Sequence, residues 1–154
     1  MIITTYLYYH TVNDIGGTME NNYPKYVTRE VMYKLAEKLN LPEPDEYSQD
    51  WEYEVADTSR INEFLFSYEN LILKCEEKFA LMIVIISSFN DLLSEKGMEF
   101  TVWEQIKRNL VSDIEIHMNT ILYWSRVEEE LEDSWHITPY MREVLNLVNP
   151  QYLY

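Results

Sequence analysis

Apolar residues recur at steps of three and four along most of the chain, and that spacing predicts helices. Val31, Met32, Leu35, Ala36 and Leu39 form the first stripe, behind Thr28 as N-cap with Arg29 and Glu30 in the first turn. Leu41 precedes Pro42 and is pushed out of the helical region, so this helix is expected over residues 28–40. Residues 59–96 then hold neither Gly nor Pro. Ile61, Phe64, Leu65, Tyr68, Leu71 and Ile72 make one stripe there; Phe79, Met82, Ile83, Ile86, Phe89, Asn90 and Leu93 make another. Thr58 or Ser59 is the expected cap and Gly97 the expected stop. A helix of that full length is uncommon in a globular domain, so a break is expected near residues 73–77. Thr101 and Glu104 match a capping box. Trp103, Ile106, Leu110, Ile114, His117, Ile121 and Trp124 follow, predicting one helix over 102–127, extendable to Glu132. Thr138 as cap and Pro139 at the first helical position open a last helix, which carries Met141, Val144, Leu145 and Val148 and stops at Asn149-Pro150. The tail, residues 151–154, is placed to pack back through its tyrosines.

Two segments depart from this period. Residues 1–12 are rich in β-branched and aromatic types and read as a strand; Gly16-Gly17, Asn21-Asn22 and Pro24 mark residues 13–27 as a loop. In residues 42–57, Trp51, Tyr53 and Val55 alternate with Glu52 and Glu54, so a short strand or an acidic loop is expected. The resulting fold class is mainly α: a single-domain bundle of four to five helices, with short β elements at the N-terminus and near 51–55.

Charge changes the picture more than length does. The 154 residues carry 27 acids and 12 bases, a net charge of −15. Direct nucleic-acid binding and docking on an anionic membrane both require the opposite sign. The longest apolar run, residues 79–86, would rise only about 12 Å as a helix, against about 30 Å of hydrocarbon, so it reads as a core helix. The N-terminus has no basic stretch and no small-residue cleavage site, and a single cysteine, Cys75, suits a reducing compartment; a cytoplasmic protein is expected. The first forty residues are neutral, whereas residues 41–77 hold eleven acids against two bases. A second knot, Glu128, Glu129, Glu130, Glu132 and Asp133, packs five acids into six positions.

The chain offers little for catalysis. The zinc patterns His-Glu-x-x-His and Cys-x-x-Cys are absent, as are a phosphate-binding glycine loop and Gly-x-Ser-x-Gly. The nearest approach to a carboxylate-bridged metal motif is one copy of Asp133-x-x-His136. Asp113 and His117 stand four apart and read as a hydrogen-bonded pair on one helix face. Cys75 precedes two glutamates, which disfavour a thiolate, and reads as a half-buried structural cysteine. No catalytic residue, metal or cofactor is expected, and the chain is not expected to be an enzyme.

An acidic run is ordinarily a solvated face, but solvating segments are poor in aromatics, and this one interleaves them. Tyr and Trp are common interface anchors. The expected contacts with a basic protein partner are therefore Glu43, Asp45, Glu46, Tyr47 and Asp50, followed by Trp51, Glu52, Tyr53 and Glu54. The alternative face is Glu128, Glu129, Glu130, Glu132 and Asp133. Glu63-Phe64 and the stretch EEKFALMIVIISSFNDLL at 76–93 resemble the small acidic immunity proteins of bacterial toxin systems. That resemblance implies neutralisation of a toxin in the producing cell. In charge and size the chain is also similar to phage inhibitors that mimic nucleic acid against host defence enzymes such as CRISPR or restriction nucleases. Mimicry needs carboxylates spaced like phosphates, which residues 43–57 would supply on an extended strand. A third class is a helical-bundle enzyme or a homodimeric scaffold. Trp103, Ile116, Tyr123 and Trp124 do not share one stripe, so some of them are candidates for a self-association face.

Overall fold

A computed structural model describes residues 23–149; the expected N-terminal strand, most of its following loop and the tyrosine tail lie outside them. The chain is mainly helical, with seven α-helices and no strand among the described residues. Helix α1, Arg29–Leu39, forms as its stripe predicts. The Thr28 hydroxyl accepts from the Val31 N–H, Glu30 and Lys38 complement the helix dipole, and Asn40 closes the end in the left-handed region at φ 50°. Helix α2, Trp51–Glu54, is a single helical turn where alternation suggested a strand. Trp51 and Val55 fit both periods, because four residues is a helical step as well as two strand steps. Both side chains are buried, and the Val55 N–H bonds the Trp51 carbonyl.

A 3-10 turn, Thr58–Arg60, leads into α3, Ile61–Asn70. The cap of the 3-10 turn is Asp57, not Thr58 or Ser59: the Asp57 carboxylate accepts from the Ser59 N–H at 2.9 Å. Residues 71–74 make the expected break, slightly early. Helix α4, Cys75–Lys96, is the central element, and all of 79–86 is buried. It packs against α1, α2, α3 and α6. Cys75, at its first position, is exposed rather than half-buried. Gly97 ends the helix at φ 83°.

The long helix expected over 102–127 is two: α5, Phe100–Ser112, and α6, Ile114–Ser125, joined at Asp113. Its apolar stripe continues across the joint, with Trp103, Ile106 and Leu110 buried on one side and His117, Ile121 and Trp124 on the other. The capping box does not form. Glu99 is the N-cap of α5, and Thr101 lies inside the helix. Helix α6 stops at Arg126, which is left-handed at φ 40°. A 3-10 turn, Leu131–Asp133, and helix α7, Thr138–Val148, follow. Thr138 does not cap α7; its hydroxyl donates instead to the Trp124 carbonyl at the end of α6, 2.9 Å away. Buried side chains from all seven helices form one core. No described helix is long and apolar enough to cross a membrane. Of the residues offered for self-association, Trp103 and Trp124 are buried and Ile116 and Tyr123 half-buried.

Candidate functional site

The first acidic segment divides between surface and core. Glu43, Asp45, Glu46, Tyr47, Asp50 and Glu54 are exposed. Asp45 makes a tight turn, accepting from the Tyr47 N–H at 2.8 Å and the Ser48 hydroxyl at 3.1 Å. These two bonds hold its carboxyl below the ordinary range. The Arg29 guanidinium forks onto the Asp45 carbonyl and fixes the turn against α1. Trp51 and Glu52 are not available to a partner. Trp51 is 1% exposed, with its indole N–H on the Pro42 carbonyl at 2.7 Å. Glu52 is buried, its Oε2 has no partner among the described residues, and burial pushes its pKa up, with Asp50 and Glu54 adding to the shift. Tyr53 is half-buried, its ring 6.1 Å from that of Trp124. Burial, then Tyr123, pushes its hydroxyl pKa up.

The second acidic knot surrounds an open depression of about 630 Å³ after the end of α6. Arg126, Glu128, Glu129, Glu130, Asp133 and Trp135 line it. Glu129 is half-buried and paired with Arg126, whose guanidinium stacks over the Trp135 ring at 4.3 Å. Glu128, Glu130, Glu132 and Asp133 are exposed. The wall behind them is aromatic. The Trp135 and Trp124 rings are 4.6 Å apart, and Tyr123 lies 5.2 Å from Trp135 and 5.8 Å from Trp124. Trp124 therefore touches Tyr53 from the first acidic segment and Trp135 from the second. The fold brings the C-terminal half of the first segment and the second knot to one aromatic cluster.

Arg142 of α7 holds this end of the molecule. It donates to the Ser125 carbonyl at 2.7 Å and to those of Arg126 and Glu129 at 2.6 Å each, so one side chain satisfies the α6 terminus and its following turn. Sequence reasoning missed Arg126, Trp135 and Arg142. The only signal for them was a lone arginine and a tryptophan flanking an acidic knot.

A second polar cluster lies at the joint of α5 and α6. The Tyr68 hydroxyl donates to Asp113 Oδ2 at 2.6 Å and stands 2.6 Å from His117 Nε2. Lys78 Nζ is 3.1 Å from the same Asp113 oxygen. Asp113 and His117 thus meet through a tyrosine that their own helices do not supply. Burial raises the Asp113 pKa, but its bonds from Tyr68 and Lys78 overcome this and hold it below the ordinary value. Burial pushes His117 down to about 4. Asp133 and His136 are both exposed, and no group of three or more metal-ligating side chains occurs among the described residues. In comparison with known proteins, the chain matches no family model, no curated protein and no solved structure.

Proposed function

We propose that this chain is an acidic inhibitor that binds a basic protein partner, such as a toxin or a nucleic-acid-acting enzyme, and blocks it by occlusion. The observation that carries this reading is the convergence of two acidic segments on one aromatic cluster. Asp50 and Glu54 flank Tyr53 in the chain, Glu128, Glu130, Glu132 and Asp133 lie between Trp124 and Trp135, and all six are exposed. Their exposed carboxylates steer a basic partner and set its orientation. Tyr47, 79% exposed, is an anchor of the kind that supplies contact area. Occlusion requires about 800 Å² from each partner, which a chain of this size can present. Nucleic-acid mimicry is the weaker reading, because residues 45–48 form a turn and 51–54 a helical turn, so the even spacing that residues 43–57 would give on an extended strand is absent.

The test is capture from a lysate of the source cells on the immobilised protein, eluted by a salt gradient. A variant carrying Glu128→Lys, Glu130→Lys, Glu132→Lys and Asp133→Lys is run beside it. The expected result is one basic partner released at a defined salt step from the wild type and retained weakly or not at all by the variant. Elution profiles that do not differ, or the absence of any basic partner, overturn the reading.

A further inference from the structure

We propose that Lys78, Asp113, Tyr68 and His117 form an acid-operated latch that holds the elbow between α5 and α6 closed. The elbow interrupts a single apolar stripe. Asp113 leaves helical geometry at φ −108° and ψ 38°, while its carbonyl still accepts from Ile116 at 2.9 Å and His117 at 3.2 Å. Its side chain reaches Tyr68 on α3 and Lys78 on α4 through one carboxylate oxygen. That oxygen therefore ties the elbow to two other helices.

The placement of hydrogens decides which protonation state the cluster fits. The Tyr68 hydroxyl has one hydrogen and two neighbours at 2.6 Å. It goes to the carboxylate, the charged acceptor. His117 Nε2 then carries the ring hydrogen and donates to the hydroxyl oxygen, a tautomer assigned from this bonding pattern. Nδ1 is left as a bare nitrogen with no partner among the described residues, in a ring that is fully buried. A further proton would sit on Nδ1, where nothing accepts it, in a site that already holds the Lys78 ammonium.

The titratable groups facing His117 are Tyr68 from α3, Lys78 from α4 and Asp113 at the elbow; Cys75 at the start of α4 faces Tyr68. Arg142 of α7 is committed to the far end of α6. Burial holds the imidazole neutral down to about pH 4; Asp113 opposes this and Lys78 reinforces it. The folded value lies below the ordinary 6.5, so the contribution to stability is full above 6.5 and is lost as pH falls towards 4. Helix α6 carries Trp124 in its last turn, with Arg126 as its cap, so opening the elbow loosens the aromatic cluster, whatever binds there.

The experiment is a pH titration of the whole chain from neutral to about pH 4 by imidazole NMR and amide hydrogen exchange, with His117→Gln in parallel. The expected result is that His117 titrates well below the ordinary imidazole value of 6.5. After correction for intrinsic rates, α6 amides should open roughly tenfold or more between about pH 6.5 and 4.5, while α4 core amides lag behind. In His117→Gln this acid-induced gain in α6 should be lost. If that variant does not fold, the wild type still decides. Titration of His117 at or above the ordinary imidazole value of 6.5, or simultaneous opening of α4 and α6, overturns the proposal.

Discussion

Trp51 sits in the core with its indole N–H bonded to the Pro42 carbonyl, and this fixes the role of the segment around it. Replacing it with alanine removes a large buried ring and leaves that carbonyl without a donor. Trp51→Ala is expected to cost about 3–5 kcal/mol, read as a lower midpoint in urea unfolding. An interface anchor would leave stability intact and speed dissociation instead. Its neighbour Glu52 works the other way. Its folded pKa is raised by burial, so the folded state prefers the protonated carboxyl. Stability from this group is greatest in acid and falls as pH rises through the ordinary carboxylate range. Glu52→Gln removes the charge without changing shape. It should therefore raise the thermal midpoint at pH 7, with the gain shrinking as pH falls through the ordinary carboxylate range. A midpoint lowered at pH 7 would mean that the charged carboxylate has a partner it needs.

At the level of elements, the sequence is a good guide where period and punctuation agree and a poor one where side chains reach across to other helices. Helix α1 is readable from Thr28 to Asn40 because stripe, cap and stop all lie within its own residues. The joint at Asp113 is not. The stripe from Trp103 to Trp124 is unbroken, and what bends the chain is a carboxylate claimed by Tyr68 and Lys78, 45 and 35 residues earlier. Thr138 is misread for the same reason: a threonine before proline is a good cap until its hydroxyl is taken by the Trp124 carbonyl of another helix. Gly97 is the opposite case, a stop set by local backbone alone. It adopts φ 83°, and a Cβ placed there would meet nothing within 4 Å. Gly97→Ala should therefore cost about 1–3 kcal/mol through backbone strain without any clash, measurable as a lower unfolding midpoint with an unchanged m-value. A neutral substitution would show that the turn after α4 relaxes.

For the whole molecule, the question left by the sequence is whether two acidic clusters some eighty residues apart share a face. Each was legible by itself as a run of carboxylates. Their meeting was not, because it depends on Tyr53, Trp124 and Trp135 meeting ring to ring across α2, α6 and the turn before α7, contacts that no local pattern encodes. The shared aromatic cluster makes a distinctive prediction for binding. One variant reverses Asp50 and Glu54, a second reverses Glu130 and Asp133, and a third combines all four changes. All four side chains are exposed, so folding is expected to survive. If both clusters face one partner, each pair should slow association and flatten its salt dependence, and the combined variant should be slowest, with dissociation changing little. If only one cluster faces the partner, one pair will carry the whole effect and the other none. Stopped-flow association at two salt concentrations separates these outcomes, and a null effect of the first pair would confine the interface to the depression beside Trp135.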